Sequence, residues 1–472
     1  MKLKYKNIPV LLSMMCLGLT SCSDSFLDIK PEQNVAAEDA VIDLVTLQTA
    51  INGMYSKLQD SDYYGRTMYV IPELMADNLY LSSRNTGRYL EFENFVVSDR
   101  NTYAEGTWNQ IYEVVVNATR AIEGGKLIEV TTAEQQKKID QLVGEAYTVR
   151  ALAHFDLVRL YAQPYNFTAN ATHAGVPVVS AINTNQVSPS RNNVSEVYTQ
   201  INSDLAQALL LMTNQKASGY FSVSGAKALA ARVALYQENN LEAIKQSTEV
   251  INTSAYSLMT NANYLKVWNT AFNSESIFEI VNTIADSEGT NSLGHFFSVA
   301  GYADALVTTE LFVLYDSNDI RKSVIVQGAK PGAEKNALFV GKFPNGTKSD
   351  DNIRLFRLAE QYLIRAEAYA KEGNDMLAQQ DLNLIVKRAQ PNAATITDTG
   401  ANLLDRILLE RRKELAFEGH RLFDLNRNKK NVNIIQSENA VLVNYPNDKF
   451  ILPIPLSEIN ANPNIKPQNN GY

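Results

Sequence analysis

The densest group of ionisable side chains lies late in the chain, where residues 408–426 read LLERRKELAFEGHRLFDLN. Between Glu410 and Arg427 stand five basic and four acidic residues, so the local charge nearly cancels and the stretch is not a phosphate-binding stripe. Leu404, Ile407, Leu408 and Leu415 recur at three- and four-residue spacing and predict an apolar helical stripe. Arg411, Glu414 and Glu418 fall on or beside it. Charges placed there need partners, since a buried charge left alone costs roughly 3–5 kcal/mol. The competing reading is a solvated charged face. Gly419 stands where a helix C-cap would be.

Catalytic and metal-binding signatures are otherwise thin. Gly341-Lys342 lacks the first glycine of a phosphate loop, with Asn336 in its place. Four scattered histidines form no His-Glu-x-x-His pair, and no Gly-x-Ser-x-Gly elbow occurs. Asp316-Ser317-Asn318-Asp319 hints at a calcium loop, but Arg321 replaces the required glycine and Gln327 the final glutamate, which predicts a structural turn. With 51 acidic residues some carboxylate pair is inevitable, yet none is marked out for glycoside hydrolysis. The expectation is a chain with no cofactor, no metal centre and no catalytic residues.

Composition agrees with a globular protein, 45% hydrophobic and 20% charged over 472 residues. The formal charge is −8, which disfavours nucleic acid as a partner. Lys2, Lys4 and Lys6 precede an apolar run at residues 8–19, then Leu19-Thr20-Ser21-Cys22. This predicts a signal peptide at 1–21, whose removal deletes three lysines and no acid. Of the two cysteines, Cys16 goes with the leader, so Cys22 alone remains and no internal disulfide is expected. Small residues before Cys22 resemble the lipobox of bacterial lipoproteins. The implied chemistry is acylation at Cys22, where two or three chains at ~0.8 kcal/mol per buried CH₂ give firm membrane anchoring. A plain secretory signal is the alternative. No later run of eighteen apolar residues suggests a spanning helix.

The elements that must position any site are mainly helical. Periodicity predicts helices at about 38–58, 105–128, 140–161 and 194–212. His154 reads as a packed interior residue, and Pro164 ends the third helix. Two helix pairs follow, 224–237 with 241–251 and 355–371 with 375–389. They align so that Leu229 meets Leu363, Ala234 meets Ala368, Glu238 meets Glu372 and Asn240 meets Asn374. That is tetratricopeptide-like, with two helices, small residues at their contact and a short polar turn. The expected fold is predominantly all-α, helix pairs carrying long irregular loops with a few short strands. Periodicity fades at 59–106 and again at 253–352, and loops this long in a helical protein tend to carry function.

ERRKELAFEGHRLFDLNR closely resembles the C-terminal signature of the SusD/RagB family, outer-membrane lipoproteins that capture nutrients in Bacteroidetes. GEAYTVRALAHFDLVRLYAQPY, WNQIYEVVVNATRAIE, the opening FLDIKP at 26–31 and the proline-spaced ending from Phe450 to Tyr472 are similar too, and the second match implies that Trp108 is core. Ser23-Asp24-Ser25, after Cys22, partly resembles the signal that sends Bacteroidetes lipoproteins to the cell surface. The resemblance implies a SusD-like fold, with a region 22–215 and a C-terminal region 216–472 forming one globule. It also implies a surface-exposed, non-enzymatic lid over a SusC-type TonB-dependent barrel. Glycan is the favoured ligand and peptide the alternative. A protein–protein adaptor using only the helical repeats, and a surface glycosidase, stand behind these.

The resemblance implies ligand contacts from the two irregular regions but fixes no individual residue. By residue type and loop placement, the ligand-binding candidates are Tyr64, Asp77, Arg84, Arg88, Tyr89, Trp268, Phe296 and Tyr302. Aromatic faces would carry the C–H faces of a sugar, and planar polar groups its hydroxyls. Each candidate has the competing reading of loop packing.

Overall fold

The protein is described from a computed structural model, which covers residues 41–182, 188–436 and 439–472. The leader, Cys22 and the opening at 26–31 lie outside the described residues.

The periodic stretches fold as helices: α1 (Leu44–Leu58), α2 (Thr102–Leu127), α3 (Ala133–Tyr161), α4 (Val194–Leu211), α5 (Val223–Tyr236), α6 (Asn240–Ile251), α7 (Leu358–Lys371), α8 (Asp375–Ala389), α9 (Gly400–Glu414) and α10 (Arg421–Arg427). Side-chain caps set several starts: Asp43, Asn101, Thr132 and Asn193 each accept a bond from a first-turn N–H. The Thr132 cap begins α3 seven residues before the start predicted at 140; its polar first turns carry no apolar period to announce them.

The two helix pairs stack against each other although more than a hundred residues separate them. α7 packs on both α5 and α6. Arg232 of α5 makes a two-pronged pair with Glu360 of α7, at 2.8 and 2.6 Å, and Asn240 Nδ2 donates to Glu372 Oε1 across the turns at 2.9 Å. Leu229 and Leu363 are both fully buried, Leu229 in the main core and Leu363 in a separate cluster with Leu382, Ile385, Leu403 and Ile407.

Short strands form antiparallel pairs: β1 (Leu79–Leu81), β2 (Ser276–Ile280), β3 (Ala305–Val307), β4 (Ile325–Gly328) and β5 (Ala337–Val340) within the irregular regions, and β6 (Ile353–Arg357), β7 (Val432–Gln436) and β8 (Asn439–Val443) after them. They pair as β1–β3, β2–β6, β4–β5 and β7–β8. Leu355, expected in a helix, therefore lies in β6. All five β6 residues are buried, so its run lacks the alternation that would distinguish a strand from a helix.

The charged stretch at 408–426 is interior. The buried stripe of α9 runs through Leu403, Ile407, Glu410, Arg411 and Glu414, with Leu404 and Leu408 only half-buried. Every interior charge there has a partner. Arg411 Nε pairs with Asp424 at 2.8 Å, Arg388 with Glu414 at 2.6 Å, and Arg357 and Lys342 with Glu418 at 2.7 and 2.6 Å. Against the cost of burial, Arg357 and Lys342 hold the Glu418 carboxyl below its usual range. Gly419 has φ +75°, and a Cβ there would fall 2.4 Å from the Met68 carbonyl oxygen, so only glycine fits the turn between α9 and α10. Trp108 and His154 are interior as expected, and burial lowers the His154 pKa to about 3.

Candidate functional site

The antiparallel β1–β3 pair joins the two irregular regions, with Leu79 opposite Val307 and Leu81 opposite Ala305. Ser82 extends the junction: its N–H donates to the Asp304 carbonyl at 3.0 Å and its hydroxyl to the Ala303 carbonyl at 2.7 Å. Leu81 and Ser83 point their N–H groups the other way. The first donates to Glu93 Oε1 at 2.6 Å and the second to Glu334 Oε1 at 2.8 Å. The outer edge of β1 is thus occupied by carboxylates, which blocks further strand pairing there. Burial, then the neighbouring Glu334, raises the Glu93 pKa.

A cavity of about 380 Å³ opens beside this edge, lined by Ser82, Ser83, Asn85, Gly87, Glu93 and Glu334 among others. Glu334 Oε2 is buried there with no hydrogen-bond partner. An acceptor in that state is expensive unless a ligand or water donates to it.

Next to the cavity, Arg88 lies over the Tyr302 ring with its guanidinium carbon 4.3 Å from the centroid, and its Nη1 is 3.0 Å from Asp304 Oδ2. The Arg84 Nε donates to the Tyr302 carbonyl at 3.3 Å, and Arg84 also reaches the Pro331 carbonyl. His295 meets Tyr302 edge-on, centroids 4.5 Å apart. Arg84, Arg88 and Tyr302 are half-buried. This arrangement offers cationic donors, a half-buried tyrosine ring and a carboxylate oxygen without a hydrogen-bond partner, suited to a hydroxyl-rich ligand.

Three of the eight sequence candidates, Arg84, Arg88 and Tyr302, line this junction. Tyr89 and Phe296 lie directly beneath it, rings 5.6 Å apart, and are about 1% exposed. Tyr89 also stacks on Tyr103 and accepts a bond from Arg66 Nε at 2.9 Å. The other three sit elsewhere. Tyr64 is interior, its hydroxyl on Asp156 Oδ2 at 2.5 Å. Asp77 is clamped by Arg421 at 2.6 Å and Arg412 at 3.3 Å. Trp268, 3% exposed, packs among Lys342, Arg354 and Arg357, whose cationic groups lie 4.7 to 5.4 Å from its ring. Trp108 is buried as well, so neither tryptophan offers a platform. His295, Asp304 and Glu334 belong to the site but carry no signal in the sequence. Their neighbours are ordinary loop residues, and only the tertiary fold brings Asp304 to Arg88, His295 to Tyr302 and Glu334 to the Ser83 amide.

Stacked helix pairs with a loop-built polar site define a binding scaffold; among the described residues no helix is long and apolar enough to cross a membrane. Residues 334–472 match the model of the SusD family, and residues 25–235 a SusD-like model described as starch-binding, associating with outer membrane. A crystal structure of a SusD superfamily protein from Bacteroides vulgatus superposes with a TM-score of 0.83 at 30% identity, covering 91% of this chain and 99% of that one. A SusD-like protein from Formosa agariphila is 26% identical, covering 99% of this chain and all of the relative. The starch-binding protein SusD of Bacteroides thetaiotaomicron is 36% identical over 139 residues, 27% of this chain and 23% of that protein. The chain belongs to the SusD family, and it is a SusD-type binding protein.

Proposed function

We propose that this protein is a non-enzymatic, surface-exposed nutrient-capture lipoprotein that closes over a SusC-type TonB-dependent barrel and binds a glycan at the β1–β3 junction. Residues 22–215 and 216–472 would act together as the lid. Acylated Cys22 would tether them to the outer membrane, and the barrel would import the captured ligand. The observation that carries the reading is Arg88 seated on Tyr302 beside the cavity of Glu334, because it draws one polar and aromatic surface from both irregular regions. Relatives described as starch-binding and associated with the outer membrane support the same reading.

A bound sugar would place a C–H face against the exposed part of Tyr302 and donate a hydroxyl to Glu334 Oε2, with Arg84 and Arg88 supplying N–H donors. A peptide is the second reading, favoured by the burial of both tryptophans, which leaves no indole platform for a long glycan. Strand addition on β1 is disfavoured for it, since Glu93 and Glu334 hold the outer amides. A loop-borne cluster of this kind also supports ligand capture over an adaptor built on the helical repeats alone. The deciding experiment is a combined glycan and peptide array probed with the mature chain. Glycan binding lost in Tyr302→Ala supports the proposal, and binding confined to peptides, or turnover of any glycan, overturns it.

A further inference from the structure

On the helical part of the molecule, a cleft of about 800 Å³ opens between α1, the first half of α3 and the connection from α4 to α5. A smaller one of about 230 Å³ adjoins it, and Asn52 and Tyr220 line both. Tyr220 is 39% exposed and stands edge-on to Tyr55, centroids 5.1 Å apart. Its hydroxyl donates to Asn52 Oδ1 at 3.3 Å, and Gln48 Nε2 donates to the same oxygen at 3.0 Å. With its carbonyl oxygen occupied twice, Asn52 keeps its amide NH₂ available to donate.

The wall of the larger cleft holds a carboxylate in an unusual state. Glu145 is 4% exposed, and its two oxygens accept from Gln141 Nε2 and the Tyr55 hydroxyl, both at 3.0 Å. Both donors are locked from behind. Gln141 Oε1 accepts from the N–H groups of Thr213 and Asn214, and the Tyr55 oxygen accepts from Phe221 N–H at 2.7 Å. No Lys or Arg among the described residues pairs with Glu145. Elsewhere in the interior Asp204 has Arg150, Glu360 has Arg232 and Glu367 has Arg427. The cations near the cleft are on its exposed rim: Lys137, and Lys138, which pairs with Glu134 at 3.3 Å. Burial raises the Glu145 pKa to about 7, as expected for a carboxylate taken from water without a counter-charge. A cationic ligand entering the cleft would supply that charge. Two neutral bonds leave each carboxylate oxygen room for another donor.

The geometry points to a second ligand subsite in this cleft, selective for an amine-bearing saccharide whose ammonium pairs with Glu145 while its ring lies against Tyr220. The amides of Gln48, Asn52 and Asn214 line the cleft and suit sugar hydroxyls, and continuity past Tyr220 into the smaller cleft allows more than one sugar unit. An ammonium–carboxylate contact in a partly dry site gives far more discrimination than an acetamide in the same place. The subsite shares no lining residue with the β1–β3 junction, so it stands or falls separately from the function proposed above.

The test is calorimetric titration of the full chain in detergent with a fully deacetylated glucosamine trisaccharide and with its N-acetylated counterpart. The amine form is expected to bind about tenfold or more tightly, and Glu145→Gln to abolish that preference. Tyr220→Ala, at a partly exposed position, should weaken the amine form about tenfold, and Arg88→Ala should leave it unchanged. At about pH 6.5 binding should release protons, read from the dependence of the heat on buffer. Equal affinity for the two sugars, failure of the amine form to bind, or a preference that survives Glu145→Gln overturns the inference. Loss of the amine form in Arg88→Ala would assign it to the loop junction instead, refuting the second subsite and leaving the first intact.

Discussion

Arg88 and Tyr302 lie 214 positions apart in the chain, yet the guanidinium carbon of one rests 4.3 Å from the ring centroid of the other. Asp304 fixes the far end of the same arginine at 3.0 Å, and burial raises the Asp304 pKa, an effect that Arg88 opposes. The contact exists because β1 and β3 pair in register, β1 ending seven residues before Arg88 and β3 beginning three residues after Tyr302. A cation over an aromatic face at a half-exposed position contributes about 0.5–1 kcal/mol, enough to hold the ring in place without making the fold depend on it.

Replacing either partner should therefore separate binding from stability. Tyr302→Ala and Arg88→Ala are each expected to weaken the ligand identified by array about tenfold or more. The melting temperature should move by less than about 2 °C, since neither side chain fills the interior. Affinity measured beside a thermal melt checks both halves.

Trp268→Ala is expected to do the opposite. The ring is interior and faces Lys342, Arg354 and Arg357, so truncation opens a cavity and removes the aromatic surface against three buried cations. A loss of about 3–5 kcal/mol is expected in denaturant unfolding, with ligand affinity in the surviving folded protein unchanged. The sequence offered Trp268 as a ligand contact; its 3% exposure assigns it to packing.

Glu418→Ala strips Arg357 and Lys342 of a shared partner inside the protein. Leaving such charges uncompensated costs about 3–5 kcal/mol, measurable by urea titration at neutral pH.

Two sets of carboxylates give the protein opposite responses to pH. Despite burial, Arg321 holds Asp319 down to about 2, and positive neighbours hold Glu367 and Glu414 well below the usual range. Their folded-state values lie below their unfolded ones, so their contribution is complete above about pH 4 and is lost as pH falls through the folded values. Thermal melts should show a steep decline below about pH 4, shallower in Asp319→Asn. Glu145 behaves inversely. Its folded value near 7 exceeds the unfolded one, so the folded state favours the protonated carboxyl, and wild-type stability falls as pH rises from about 4 to 7. Glu145→Gln should raise the melting temperature, relative to wild type, more at about pH 8 than at about pH 5.

Cys22→Ala should release the protein from the membrane fraction into the periplasm. Continued fractionation with the outer membrane would refute acylation as the anchor.

Local pattern was enough for much of the architecture. Helical periodicity located α3, α5, α6 and α8, because a 3.6-residue repeat of apolar side chains is written in consecutive positions. The demand that Arg411, Glu414 and Glu418 be paired was also legible, since charges set on an apolar stripe have few other solutions. Their partners were not: Lys342, Arg357 and Arg388 arrive from other elements. The same limit governed the sites. Residue type and loop position could nominate Arg84, Arg88 and Tyr302 but could not distinguish them from Tyr64 or Trp268, because exposure follows from what packs above a side chain. Nothing around Glu334 or Glu145 sets them apart in the chain. One becomes a site residue through the amide of Ser83, 251 positions away, the other through the hydroxyl of Tyr55, 90 positions away. Sequence determined the helices, the charge to be neutralised and the family; tertiary structure alone decided which charges were left facing a cavity.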